Sequence, residues 1–386
     1  MESIEQYLQT KLEQRKAEGN FRSLKVLPNA IDFTSNDYLG MSRNPLFAKE
    51  VERECAVQQF DKVGATGSRL LTGNNAYIEL VEKEIALFHQ ANACLIFNSG
   101  FDANYGLLAT VPGKGHLLIM DELVHASIHD GAKASKAEKQ FFKHNNLMHL
   151  EQLLGAESFT QKFVVVESLY SMNGDIADLT AISALCEKYH AHLIVDEAHA
   201  TGVIGVKGEG VVQSLGLSDK VFARVVTFGK ALGAHGACVL GSDSLKSFLI
   251  NFCRPLIFST GLSFHSLACI RVAYQLFPKM EIERTKLNEN IAFFKTFSNQ
   301  SSYVFLDSNT AIQGLLIAGN EEVVACSAYL EANGIDARPI RYPTVAKGAE
   351  RIRICLHSYT TFDEIEHLFS ACNNFYASKS VHSQTH

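Results

Sequence analysis

The sequence predicts an α/β protein, with a mostly parallel sheet covered by helices and a smaller α+β module behind it. Three observations predict this. Short apolar runs of strand length recur at residues 94–97, 117–120, 163–166, 193–195, 225–226 and 238–240. Helix-like segments separate most of them, as at 179–189, where Leu179, Ile182, Leu185 and Cys186 fall in register. Continuous rather than alternating apolar strands indicate a sheet covered on both faces. Past about residue 304 the pattern changes, with strands near 311–317, 335–338 and 352–356 and helices around 321–332 and 362–376.

Taken in order, residues 3–18 carry Ile4, Tyr7, Leu8 and Leu12 at helical spacing, which predicts an N-terminal helix docked on something larger. A short strand follows at 31–33, then a turn-rich loop from Thr34 to Gly40. Residues 64–73 hold three glycines and three hydroxyls, which is loop chemistry. Such a loop can cradle an anion. Without a G-x-x-x-x-G-K-S/T motif, an ordinary loop is the favoured reading. Asn74 or Asn75 is placed to cap the helix that presents Ile78, Val81, Ile85 and Phe88 on one face. Two longer helices, around 263–277 and 282–297, lead out of the sheet domain, and 377–386 is polar and expected to fray. The expected organisation is an N-terminal helix and arm over 1–40, a large domain over 41–275 and a small one over 276–386.

Composition excludes several classes. The chain has 386 residues, 47% hydrophobic and 20% charged, with a net charge of -6 spread along it. No basic block or aromatic-basic stripe suggests nucleic acid as a partner. No apolar run approaches the roughly 20 residues of a membrane span. The start, Met1 to Glu5, lacks the basic and apolar regions of a signal peptide. The nine cysteines form no C-x-x-C pair. A reduced, cytoplasmic protein is expected.

The candidate chemistry lies at predicted strand ends. Lys230 follows an apolar strand between Gly229 and Ala231, where desolvation would favour a nucleophilic amine. Alone, it reads as a surface lysine. Asp196 directly follows the apolar run 193–195, so its carboxylate needs a cationic partner. A lysine and an acid on a pyridine nitrogen are how proteins hold pyridoxal phosphate. His199 is placed to reach that cofactor's phenolic oxygen, and His125 to stack on its ring. A metal site from His190, His192, Asp196 and His199 is disfavoured, because a strand rising about 3.3 Å per residue separates them. Asn98-Ser99-Gly100-Phe101 opens a helix whose free amides suit a phosphate. Arg351 and Arg353 alternate with isoleucines and so share a face, which fits either surface charges or a carboxylate clamp. No G-x-S-x-G elbow and no G-x-G-x-x-G after a strand is present.

These residues resemble a known family. Thr227-Phe228-Gly229-Lys230-Ala231-Leu232-Gly233 resembles the lysine signature of class II pyridoxal-phosphate aminotransferase-like enzymes. More narrowly, the chain resembles the α-oxoamine synthases. The matches run in order from the Ser35–Gly40 and Gly64–Gly73 stretches through Ser99 to Asn104, His125-Ala126-Ser127, Glu167 to Asp175, Asp196 to Gly202 and Arg341 to Arg353.

The resemblance implies a fold-type I pyridoxal-phosphate transferase with a seven-stranded type of sheet, working as a homodimer with shared active sites. It implies Lys230 as the Schiff-base lysine, Asp196 on the pyridine nitrogen, His199 on the phenolic oxygen and His125 over the ring. Gly100, Phe101, Ser171 and Thr227 would hold or flank the phosphate, joined by Ser259 or Thr260 of the second subunit. Arg353 would bind the amino-acid carboxylate. Arg22, Asn36 and Thr344 would contact substrate. The implied reaction is decarboxylative condensation of an amino acid with an acyl thioester from coenzyme A or a carrier protein. The run from Gly229 to Ala237 points to the branch joining L-alanine to a pimeloyl thioester in biotin synthesis. A glycine- or serine-using relative, or a simple aminotransferase, is the alternative. Three departures stand out: Ala200 where glycine or serine is common, a short segment between Arg22 and Ile31, and no proline in Ser263-Phe264-His265. The last two lie on the acyl-donor side and leave that donor open.

Overall fold

The computed structural model describes residues 3–60, 62–156 and 158–383. The chain divides into two compact units. The larger comprises Asn36–Ser171 and Asp175–Arg284, and the smaller comprises Met1–Ser35, Met172–Gly174 and Thr285–His386. Strand β1, Ile31–Asp32, belongs to the smaller unit.

Seven strands build the sheet of the larger unit. They are β2 (Ala93–Phe97), β3 (His116–Asp121), β4 (Glu138–Phe142), β5 (Gln161–Glu167), β6 (His192–Asp196), β7 (Ala223–Thr227) and β8 (Ala237–Gly241). Their spatial order is β2-β8-β7-β6-β5-β3-β4. The five from β4 to β7 are parallel, and β8 runs antiparallel to β7 and β2. All but β4 coincide with the apolar runs. β4 reads Glu-Lys-Gln-Phe-Phe and lies at the sheet edge, with Glu138 and Lys139 exposed. Edge strands carry charges that discourage further pairing, so β4 lacks the signal that marks its neighbours.

Register sets the working edge. Glu167 pairs with Asp196, and Asp196 with Val225. The carboxyl ends of β3, β5, β6 and β7 thus bring Asp121, Glu167, Asp196 and Thr227 to one edge, where open α/β sheets bind ligands. Helix Gly100–Thr110 follows β2, and helix Ala126–Ala134 follows β3. They approach closely at Gly131, where a Cβ would lie 2.9 Å from the Tyr105 Cα and 3.0 Å from its carbonyl oxygen. A side chain there would force the helices apart, so glycine is required. Helix Ala76–Phe88 is capped by Asn75, one of the two expected candidates. Loop 64–73 pairs Ser68 with Thr260, and Arg69 anchors it on buried Glu82.

In the smaller unit, β9 (Ile312–Leu316), β10 (Ile335–Asp336), β11 (Arg338–Ile340) and β12 (Arg351–Cys355) follow. β1 pairs with β10 in parallel, while β11-β12-β9 is antiparallel. The expected strand at 335–338 is therefore split between two sheets. Buried Phe294 and Phe369 form an aromatic cluster with half-buried Phe305.

Two expectations are corrected. The N-terminal helix forms, Ile4–Ala17 with a Ser3–Gln6 capping box, but none of its residues is buried, so the expected docking covers none of its side chains among the described residues. The expected frayed end is instead helical, since Phe362–Ser383 runs through it; residues 384–386 lie outside the described residues. Among the described residues no helix is long and apolar enough to cross a membrane.

Candidate active site

Asp196 is 5% exposed at the end of β6. Its Oδ1 accepts the Ala198 amide at 2.8 Å, and its Oδ2 accepts Nδ2 of Asn104 at 2.7 Å. The same Asn104 amide nitrogen donates to Ser127 Oγ at 3.1 Å, and that oxygen lies 2.8 Å from Nδ1 of His125. The Ser127 amide also donates to His125 Nδ1, at 3.2 Å. A ring nitrogen accepting an amide proton carries none itself, so Ser127 Oγ donates to it and the neutral ring keeps its proton on Nε2. A directed relay therefore links the carboxylate to the histidine. It exists because the close helix crossing at Gly131 sets Ser127 against Asn104.

His199 is buried four residues after Val195. Its Nδ1 lies 2.7 Å from the Tyr38 hydroxyl, which also reaches Asn36 Oδ1 at 3.1 Å. Asn36 is thereby joined to His199. Thr227 ends β7, and its hydroxyl lies 3.5 Å from where a Cβ on Gly100 would stand. That places a hydroxyl beside the first turn of helix Gly100–Thr110, which Ser99 caps. Phe101, next in that helix, is 46% exposed and stacks on Tyr105. Ser171 is buried, and its amide donates to Glu167 Oε2 at 3.1 Å. Ser259 and Thr260 lie in the bend after helix Arg254–Ile257, and the Thr260 carbonyl accepts Asn98 Nδ2 at 2.9 Å.

The charges meet here. His125 titrates below the ordinary histidine range, chiefly through partial burial; Asp196 opposes this, and Lys230 and His129 add to it. The imidazole is thus neutral near pH 7, as a ring-stacking group should be. Burial, then the Asp196 charge, pushes the Glu167 carboxyl up to about 8, against Lys230 and the amides of Ser171 and His125. Lys230 acts on both groups and so lies within their electrostatic reach. The donor set fits pyridoxal phosphate: a buried carboxylate for a pyridinium, an amine for an aldehyde, a neutral imidazole for a ring face, and a helix N-terminus with a hydroxyl for a phosphate. Among the described residues no group of His, Cys, Asp and Glu is arranged to hold a metal ion.

The remaining expected residues belong to the smaller unit. Arg22 NH2 lies 3.4 Å from Thr344 Oγ1. Arg353 is half-buried on β12, with NH1 2.9 Å from Cys355 Sγ. Arg351 is no surface charge. It is 5% exposed and donates to the Met172 carbonyl and to Asn173 Oδ1. Sequence reasoning gave no part to Tyr38, Asn104, Ser127 or Glu167. Each sits inside a matched motif, which was the available signal.

Residues 28–371 match the family model described as aminotransferase class I and II. The chain is 38% identical to the 8-amino-7-oxononanoate synthase of Emericella nidulans, over 90% of both chains. It is 34% identical to 8-amino-7-oxononanoate synthase 2 of Bacillus subtilis, over 95% of this chain and 96% of that one. Its fold matches a serine palmitoyltransferase from S. paucimobilis at a TM-score of 0.90 and 24% identity, covering 99% of this chain and 100% of that one. It matches the 8-amino-7-oxononanoate synthase of Francisella tularensis at 0.78 and 28%, covering 91% of this chain and 99% of that one. The chain belongs to the class I and II aminotransferase family and, within it, to the α-oxoamine synthases, and is a pyridoxal-phosphate-dependent acyltransferase of fold type I.

Proposed function

We propose that this enzyme condenses L-alanine with a pimeloyl thioester, releasing carbon dioxide and free thiol to give 8-amino-7-oxononanoate for biotin synthesis. The observation that carries the reading is the 38% identity, along nearly the full length, to a relative named for that product. The acyl donor is a coenzyme A or carrier-protein thioester, and the working unit is a cytoplasmic homodimer.

Pyridoxal phosphate, when bound, supplies an electron sink for the charge left on the amino acid's α-carbon. Asp196 would pair with the pyridine nitrogen and keep it cationic. His199 would serve the phenolic oxygen, steadied by Tyr38. His125 would pack against the ring, its Nδ1 fixed by Ser127. Gly100, Phe101, Ser171 and Thr227 would hold or flank the phosphate, with Ser259 or Thr260 supplied across the dimer. Lys230 takes the α-proton onto Nζ and later returns one. Arg353 binds the amino-acid carboxylate, and Arg22, Asn36 and Thr344 contact substrate.

The test is to incubate purified protein and cofactor with alanine, glycine or serine and a set of acyl thioesters, scoring thiol and carbon dioxide. Alanine with a pimeloyl thioester should give the fastest release. No thiol from any pair would end the synthase reading. Preference for serine with a long acyl chain would favour the activity named for the serine palmitoyltransferase fold neighbours. Lys230→Ala should fail to retain cofactor after borohydride reduction, where the wild type retains it.

A further inference from the structure

The roles above leave Glu167 unused. Glu167 ends β5 in register with Asp196 on β6. Residues in register on parallel strands point to the same face, so the two carboxylates are neighbours. Both are almost wholly buried, Glu167 at 2% exposure and Asp196 at 5%. Both Asp196 oxygens have protein donors. Glu167 differs: Oε2 accepts the Ser171 amide, while Oε1 makes no hydrogen bond of normal geometry.

A buried ionised carboxylate with an idle oxygen is costly, and a second carboxylate beside it adds repulsion. A neighbouring negative charge disfavours ionisation of the carboxyl that has fewer donors, which here is Glu167. The groups acting on Glu167 are Asp196 from β6, Lys230 after β7, and the amides of Ser171 and His125; its own charge acts on Tyr170. Their balance favours the proton on Glu167 near neutrality.

We propose that Glu167 is a further functional residue of this site, a positioning acid that works in its neutral form, fixing the turn that carries Ser171 and leaving Asp196 as the anion for the pyridine nitrogen. The inference rests on the reading of Asp196 as the cofactor's partner. Its chemistry makes glutamine an adequate substitute. Glutamine keeps an acceptor for the Ser171 amide and adds no charge. Alanine removes the acceptor and leaves a buried amide unpaired.

The experiment compares wild type, Glu167→Gln and Glu167→Ala. Cofactor affinity is followed by fluorescence from pH 6 to 10, and the carboxylic-acid stretch of the cofactor-free protein by infrared difference spectroscopy. The glutamine variant should bind cofactor within a few-fold of wild type, and the alanine variant about ten- to a hundredfold more weakly. Wild type minus Glu167→Gln should show a protonated-carboxyl band that fades as pH rises through about 8. An inflection in cofactor affinity near that pH should disappear in the glutamine variant. Overturning results are a glutamine variant as weak as the alanine one, or no such band in the wild type. Asp196→Asn separates the two readings: if it binds cofactor as wild type does, the site assignment fails, whatever Glu167 does.

Discussion

The hydroxyl of Tyr38 lies 2.7 Å from Nδ1 of His199, across 161 residues of chain. The contact ties a turn near the start of the larger unit to the turn after β6. It occupies one ring nitrogen and so leaves Nε2 as the histidine's other bonding atom. Tyr38→Phe removes the hydroxyl from a site 1% exposed while keeping the ring. The expected result is a folded enzyme with kcat/KM reduced about three- to tenfold, the equivalent of one hydrogen bond of roughly 0.5–1.5 kcal/mol. Steady-state kinetics beside a thermal melt distinguish this from general loosening.

Asn104 donates to both Asp196 and Ser127, and both partners are buried. Asn104→Ala leaves a carboxylate oxygen short of a donor and Ser127 Oγ short of a partner. The expected cost is about 1–3 kcal/mol of stability, read from chemical denaturation. Asn104→Asp should bind cofactor differently from the alanine variant, since it sets a second acid against Asp196. Equal cofactor dissociation constants for the two variants would argue against the relay.

The sheet was legible where strands are apolar, since buried parallel strands must be so. The positions of Asp196, Lys230, His199 and His125 at or after strand ends were legible because those residues punctuate the apolar runs. The relay was not. Asn104 and Ser127 are 23 residues apart and lie on separate helices that meet through Gly131, and nothing in a helical pattern declares such a crossing. For Arg351 the pattern leaves open a surface charge or a carboxylate clamp. Alternation with isoleucine allows one wet face, but Arg351 is 5% exposed while Arg353, on the same strand, is only half-buried. Arg351 is held by backbone carbonyls and Asn173 rather than by water.

His144 joins the end of β3 to Asp175, with Nδ1 2.9 Å from Asp121 and Nε2 2.7 Å from Asp175. Burial opposes its charge, but hydrogen bonds to Asp121 and Asp175 outweigh it and raise its pKa to about 9. A raised histidine stabilises the folded state fully below its unfolded pKa, near 6.5, and loses that contribution as pH rises through about 9. The side chain is 19% exposed, so the contribution is discounted to about 1–2 kcal/mol. Wild type should lose this stability between those two pH values. His144→Gln should be less stable at pH 6 and show a flatter profile over the same range, measured by urea midpoints.

Glu82 holds two cations below loop 64–73. Its Oε1 lies 2.7 Å from Arg69 NH1, and its Oε2 lies 2.8 Å from Lys246 Nζ. Oε1 also accepts the Ile96 amide at 2.9 Å. Glu82 is 1% exposed and Arg69 11%, so removing the acid strands a nearly buried guanidinium. Breaking a buried pair from one side costs about 3–5 kcal/mol. Lys246, at 29% exposure, can turn to water, which places Glu82→Leu toward the lower end. Removing Arg69 as well should recover part of the loss, because the stranded charge goes with it. Glu82→Leu with Arg69→Leu should therefore unfold at higher urea than Glu82→Leu alone. A double variant at least as unstable as the single one would mean that the acid's bond to the Ile96 amide, rather than the ion pair, dominates here.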